Sequence, residues 1–118
     1  MTTARAARIF AFEEAKRLVP QVREITREAI EQLTAIQLAA DENESGEKEL
    51  SGEELRGAAA ELLERWAQKI RALGAEVKGP WLVDFDSGGG YYCWKWPEED
   101  LDFFHSYEDG FAGRLRIQ

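Results

Sequence analysis

The sequence predicts an α+β domain, with a long antiparallel α-helical hairpin followed by a small antiparallel β-meander of three or four strands. Up to Gly74, apolar residues recur at helical spacing among charged ones. Beyond Gly74 they alternate with polar residues, as in strands with one buried face. Ten of the 13 aromatic residues lie in this second part, between Trp81 and Phe111. We place the hairpin at about 12–73 and the meander with its closing loop at about 75–118, within a single domain over 1–118.

The first helix is predicted from an apolar stripe whose members are three or four residues apart. The stripe consists of Leu18, Val22, Ile25, Ala29, Leu33, Ile36 and Ala40. Pro20 falls inside this pattern, where it removes a backbone donor and crowds the preceding turn. We therefore expect either a kink at Pro20 or a separate short helix over about 12–18.

The second helix is predicted to fold back against the first. Residues 41–50 are acidic and polar, and we expect them to form a solvated turn. Ser51 and Glu54 then make an S-x-x-E capping box, in which each side chain satisfies a backbone amide at the helix start. Gly74 supplies the left-handed stop at the other end. The apolar stripe of this helix is Leu55, Ala59, Leu62, Trp66, Ile70 and Leu73.

Alternation of apolar and polar residues predicts the strands of the meander. We expect strands at 81–86, 91–96 and 103–106, with a short strand at 75–78 as the fourth. One face of the meander must cover the hairpin, because so small a sheet is not stable alone. The second long strand places Tyr92, Trp94 and Trp96 on one face and Tyr91, Cys93 and Lys95 on the other.

Composition and charge exclude several classes of function. The formal net charge of -8 repels phosphate backbones and the basic residues are interleaved with acids, so we expect no nucleic-acid partner. No run of 18 apolar residues is present, and residues 1–13 contain no signal-peptide core, so we expect no membrane partner. Cys93 is the only cysteine, which suits a reducing compartment. We therefore expect a cytoplasmic protein.

Three blocks of residues carry a resemblance to a known family. The first is Arg8, Phe10, Glu13, Glu14, Ala15, Leu18, Pro20, Val22 and Arg23. The others are Gly74, Val77, Lys78 and 82–85, then Cys93, Trp94, Phe104, His105 and 110–114. In these blocks the chain resembles the bacterial family called Domain of Unknown Function 2203, although Ala11 stands where that family often has a threonine helix cap. The resemblance implies a helical hairpin with a β appendage and supplies no activity.

The candidate ligand site lies around the closing loop. His105 is the only histidine, so it is the first candidate for acid–base work or metal ligation. With Asp109 and Arg114 it is suited to holding an anionic small molecule, because an arginine can bind a carboxylate or phosphate with two hydrogen bonds. Trp94 is the fourth candidate residue. The alternatives are a structural, hydrogen-bonded His105 and an Arg114 that pairs with Asp109 or Asp84 to fix the tail.

No complete catalytic or metal motif is present. His105 with Cys93, Glu108 or Asp109 lacks the ligand spacing of dedicated zinc sites, so we predict no metal and no cofactor. Cys93 lies within a predicted strand and is expected to be buried and unreactive. We expect a solvated charge cluster at a hairpin tip, formed by Glu98, Glu99, Asp100 and Asp102.

These observations favour a binding or interaction module. The two helical stripes can bury each other and leave apolar surface for a second hairpin, in a core with coiled-coil packing. We therefore expect a homodimer, with a protein partner or an anionic small molecule at the loop between His105 and Arg114. The alternative is a small enzyme or metal-dependent protein that uses His105 as acid–base group or ligand, with Asp109 orienting it.

Overall fold

The computed structural model describes residues 8–44 and 52–117 and shows two helices followed by a five-stranded antiparallel sheet. The helices are α1 (Phe12–Glu44) and α2 (Gly52–Ala72). The strands lie in chain order across the sheet and are β1 (Glu76–Gly79), β2 (Leu82–Asp86), β3 (Tyr91–Lys95), β4 (Phe103–His105) and β5 (Leu115–Arg116). A single 3-10 turn, Phe111–Gly113, joins β4 to β5. The predicted α+β class, with its hairpin and meander, is confirmed.

The sheet has one strand more than the largest predicted number, four. The additional strand is β5, which is only two residues long and pairs with β4 through Phe103 and Arg116. The amide of Ile117 donates to the carbonyl of Asp102 at 2.7 Å and extends this pairing. Two residues are too few for an alternating pattern to be visible in the sequence, so the tail was predicted as a loop.

α1 is one uninterrupted helix of 33 residues, so the predicted alternative of a separate short helix over 12–18 is wrong. Pro20 is exposed, and water can therefore bind the carbonyl that lacks its helical partner. The helix continues to Glu44, inside the predicted turn at 41–50. The rest of that turn, and Ser51 of the predicted capping box, lie outside the described residues.

The start of α1 is attached to the sheet. The Phe10 amide donates to the Asp86 carbonyl at 2.7 Å, and the Phe10 ring contacts Phe85 edge-to-face with centroids 5.2 Å apart. Glu14 accepts a hydrogen bond from the Ala11 amide at 2.8 Å. This contact is one half of a capping box, and Ala11 has no hydroxyl to supply the other half.

α1 and α2 pack through their predicted apolar stripes and through one polar contact. Thr26 is 0% exposed, and its hydroxyl accepts a hydrogen bond from the Trp66 indole at 2.9 Å. The buried apolar residues of the two helices are Ala15, Val19, Val22, Ala29, Leu55, Leu62, Trp66, Ala67 and Ile70. Within the described part of the chain, neither helix is long and apolar enough to cross a membrane.

The inner face of the sheet covers the helices. Val83, Phe85 and Trp94 are fully buried in the same core as the helical residues. Trp81 contacts Trp66 edge-to-face with ring centroids 4.9 Å apart, which joins the sheet to α2. Because Trp94 and its alternate neighbours Tyr92 and Trp96 all pack against this core, the predicted inner face of β3 is confirmed.

Replacing Thr26 by valine should destabilise the fold by about 1–3 kcal/mol, because the Trp66 indole N–H would be buried without an acceptor. The matched control is Thr34→Val on the same helix, where the hydroxyl is exposed and bonds only within the helix to Ile30. That control should change the free energy of unfolding by less than about 0.5 kcal/mol. Chemical denaturation measures both variants, and equal effects would contradict the role of the Thr26–Trp66 bond.

Candidate functional site: a buried Asp–Cys–His cluster

Three polar side chains come together on the outer face of the sheet, away from the helices. In the β2–β3 pairing, Asp84 lies directly opposite Cys93. In the β3–β4 pairing, His105 lies opposite Tyr91, which is two residues from Cys93 and therefore on the same face. The registers of two successive hairpins thus place Asp84, Cys93 and His105 on three neighbouring strands. We call these three residues the outer-face cluster.

The outer-face cluster is compact and almost fully buried. One carboxylate oxygen of Asp84, the sulfur of Cys93 and one ring nitrogen of His105 all lie within 4.8 Å of one another. The three residues are 1%, 0% and 3% exposed. His105 Nε2 lies 2.9 Å from Asp84 Oδ2, and His105 Nδ1 lies 2.7 Å from the carbonyl oxygen of Ser106.

The two contacts of His105 determine where its protons are. A carbonyl oxygen can only accept, so Nδ1 carries a hydrogen and donates it to Ser106. Nε2 faces a carboxylate oxygen, and a bare lone pair there would face the lone pairs of Asp84. A proton or a metal cation must therefore lie between Nε2 and Asp84 Oδ2. A shared proton satisfies this requirement, and so does a metal cation held by both atoms.

Asp84 also has an oxygen that lacks a partner. Among the described residues, Asp84 Oδ1 is a buried side-chain atom with no hydrogen bond, a condition that costs about 1–3 kcal/mol. Burial raises the pKa of Asp84, although the neighbouring His105 favours the carboxylate. The Cys93 thiol, a weak donor, also hydrogen-bonds the Asp84 carboxylate.

Cys93 is buried beside these groups, as the sequence predicts. Burial, reinforced by the charge of Asp84, raises the pKa of the Cys93 thiol to about 12. Because only the thiolate is a good nucleophile, the buried thiol is poorly suited to attack a substrate at neutral pH. This geometry gives no support to nucleophilic catalysis by Cys93.

Arg114 covers the cluster from the side of the chain's tail. Its Nη1 lies 3.8 Å from Cys93 Sγ. Its guanidinium stacks on the rings of Phe103 and Phe111, 3.9 and 4.2 Å from their centroids. Both terminal nitrogens bind the carboxylate of Glu98, and Nη1 lies 3.2 Å from Oε1. The tail is therefore held over the cluster by a two-point ion pair and two aromatic contacts.

Glu98 is the ion-pair partner of Arg114, so the predicted pairing with Asp109 or Asp84 is wrong. Its backbone carbonyl also accepts a hydrogen bond from Arg23 of α1 at 3.0 Å. The prediction of a solvated acidic cluster is accordingly wrong for Glu98, which is half-buried and links the tail to a helix. Such long-range partners leave no trace in the local spacing of residues.

Of the four predicted site residues, His105 belongs to the outer-face cluster and Arg114 contacts it. Trp94 and Asp109 lie elsewhere. Trp94 is 0% exposed and faces the core between the sheet and the helices. Asp109 is exposed and packs against Gly113. Binding of an anion by these residues stays a prediction.

Asp84 and Cys93 are the two cluster residues that the sequence prediction left out of the site, Cys93 because it was expected to be buried and unreactive. Asp84 was considered only as a partner of Arg114. The signal for it is the hairpin register, because a turn at residues 87–90 places position 84 opposite Cys93. The alternation of Val83, Asp84 and Phe85 then assigns Asp84 to the outer face. That alternation does not reveal that the outer face is covered too, so it gives no sign that Asp84 is buried.

Gly90 allows β4 to approach β3 closely beside the cluster. A Cβ at this position would lie 2.4 Å from Phe104 Cζ and 2.7 Å from the carbonyl oxygen of His105.

Gly90→Ala should therefore destabilise the fold by about 1–3 kcal/mol, since the backbone of β4 must move. The matched control is Gly89→Ala, where no atom lies within 4 Å of the added carbon. Urea denaturation compares the two, and an alanine tolerated equally at both positions would contradict the close approach.

Comparison with known proteins identifies the family of this chain. The model of the family described as "Uncharacterized conserved protein (DUF2203)" matches residues 8–117, which is nearly the whole chain. No curated protein and no solved structure matches it. The resemblance seen in the sequence is thus confirmed, and the chain belongs to the DUF2203 family.

Proposed function

We propose that the protein is a binding module that self-associates through its helical hairpin. The observation that supports this is apolar surface that is only partly covered, at the end of the hairpin remote from the sheet. Between residues 30 and 42 of α1, no side chain is fully buried, although the apolar stripe continues through Leu33, Ile36 and Ala40. Leu38, in the same segment, is 59% exposed, on the side of the helix away from this stripe. Exposed apolar surface of this kind is typical of interaction sites.

The two helices leave a cleft at this end of the hairpin. The cleft has a volume of about 270 Å³, and the apolar side chains that line it are Ile36, Ala40, Leu55 and Ala59. α1 has 33 residues and is therefore about 50 Å long. The sheet packs near the other end of this helix, around Val19 and Val22. A partner can consequently approach the cleft without contacting the sheet.

A second copy of this chain is the occupant that we propose for the cleft. Two hairpins related by a twofold axis present the same cleft to each other, and their four helices then bury one common core. The net charge of -8 on each chain opposes this association at low ionic strength. Added salt screens the repulsion, so self-association should strengthen as salt is raised.

Ala40→Glu should weaken self-association at least about tenfold, because Ala40 lines the cleft and the change places a charge in an apolar interface. The matched control is Leu115→Glu, since Leu115 is 72% exposed on the edge strand β5, and this variant should associate like the wild type. Light scattering across micromolar concentrations measures the mass, with two chains expected for the wild type. A wild-type mass of one chain throughout, or identical behaviour of the two variants, would contradict the proposal.

A second candidate function is recognition of an anionic small molecule by His105 and Arg114. The state of Arg114 favours it, since the guanidinium is held between two rings and already binds a carboxylate through two nitrogens. A ligand carboxylate or phosphate would take the place of Glu98. The remaining alternative, a small enzyme or metal-dependent protein that uses His105, draws support from the Asp84–His105 pair.

Glu98→Gln should tighten the binding of citrate or inorganic phosphate at least about tenfold, because it removes the carboxylate that competes for Arg114. The matched control is Glu99→Gln, at an exposed neighbouring position, which should leave the affinity unchanged. Titration calorimetry measures the three proteins. Absence of binding to the wild type and to Glu98→Gln alike would exclude anion recognition at Arg114 without affecting the proposal of self-association.

A further inference from the structure

We propose that the outer-face cluster is a metal site, which binds one divalent cation of the Zn²⁺ class through Asp84, Cys93 and His105. The donor atoms match this ion, since imidazole nitrogen, thiolate sulfur and carboxylate oxygen are the ligands that Zn²⁺ takes in proteins. One atom of each kind lies within 4.8 Å of the others. Around a tetrahedral Zn²⁺ such atoms are about 3.5 Å apart, so small side-chain movements bring them to bonding distance.

The hydrogen bond on the other ring nitrogen orients His105 as a ligand. Nδ1–H donates to the Ser106 carbonyl at 2.7 Å, so the Nε2 lone pair is directed into the cluster towards Asp84. Metal-binding histidines almost always donate their second ring N–H to a carbonyl or a carboxylate. The contact that fixes the orientation of a ligating imidazole is therefore already present.

Asp84 supplies an independent indication of a cation. Its Oδ1 atom is buried within the described structure and has no nitrogen or oxygen donor, and the Cys93 thiol, a weak donor, is the other side chain besides His105 that hydrogen-bonds this carboxylate. Nearly all buried polar atoms in native proteins have a hydrogen-bond partner, so an atom without one needs a physical explanation. A cation bound by Oδ1 would satisfy this atom, whereas the proton shared with His105 engages Oδ2.

Charge balance selects a divalent ion. With a proton shared by Asp84 and His105 and a neutral Cys93 thiol, the cluster has no net charge. When a dication binds the carboxylate, the thiolate and the neutral imidazole, the sum is again zero, and two protons leave to solvent. A trivalent ion bound by the same three groups would leave one uncompensated positive charge, which is costly at a buried site. A monovalent ion would balance only Asp84, and the Cys93 thiol would stay protonated and outside the coordination shell.

Arg114 is positioned to support such a site. Its Nη1 lies 3.8 Å from Cys93 Sγ and can donate to a metal-bound thiolate. Three protein ligands leave a fourth position on a tetrahedral ion, for water or for an atom of another ligand. The sequence predicted no metal site because the three ligands come from β2, β3 and β4, and strand pairing rather than short motif spacing brings them together.

Titration of the chelator-treated full chain with Zn²⁺ tests this proposal. Calorimetry should give one ion per chain, and Asp84→Asn and Cys93→Ser should each bind it at least about 100-fold more weakly. The matched control is Asp86→Asn, because Asp86 lies on the same strand and face and accepts hydrogen bonds from Tyr107 and Gly88. Its replacement should leave the Zn²⁺ affinity unchanged.

Co²⁺ bound to the wild type gives a second readout that does not require any variant to fold. A thiolate ligand produces a charge-transfer band in the near ultraviolet, and tetrahedral Co²⁺ absorbs strongly in the visible. We expect both features. Failure of the wild type to bind Zn²⁺ overturns the proposal. Equal binding by Asp84→Asn, or a cobalt complex without the thiolate band, also overturns it, since either result means adventitious binding on the acidic surface only.

Discussion

The buried contact between Asp84 and His105 is the constraint on which the outer half of this protein depends. It spans β2 and β4 across the intervening strand at 2.9 Å, and it requires a proton or a cation between the two groups. Such a contact is strong only when water is excluded. Asp84 and His105 are 1% and 3% exposed, the Tyr91 ring lies 5.4 Å from that of His105, and Arg114 lies 3.8 Å from the neighbouring Cys93. Arg114 binds Glu98, and the Glu98 carbonyl is bound in turn by Arg23 of α1. A polar network therefore couples the tail to the sheet and the first helix.

The helical hairpin and the inner face of the sheet were predictable from the sequence, because burial on one side leaves a periodic pattern. The stripes of α1 and α2 and the alternation of Trp81, Val83 and Phe85 all correspond to buried or half-buried positions. The fifth strand was not predictable, because β5 is two residues long and depends on pairing with β4. The end of α1 was misplaced because acidic residues are compatible with both a helix and a solvated turn.

The site was only partly predictable, because an alternating pattern shows which residues share a face and not which faces are covered. His105 was identified by its chemistry, and Cys93 was correctly placed on the face opposite Trp94. Because Cys93 and Trp94 point to opposite faces of the sheet, Trp94 cannot belong to the outer-face cluster. Asp84 was overlooked since nothing in the alternation shows that the outer face is covered at this position, where Asp84 is 1% exposed.

The measurement that tests the central claim most directly is anomalous X-ray diffraction at the zinc absorption edge, from crystals of the full chain equilibrated with Zn²⁺. We expect one anomalous peak among Asp84, Cys93 and His105, at about 2.0–2.3 Å from one oxygen, the sulfur and Nε2. If the map has no peak there and Asp84 and His105 are still in direct contact, the two side chains share a proton and the cluster holds no metal. The metal-site account would then be contradicted.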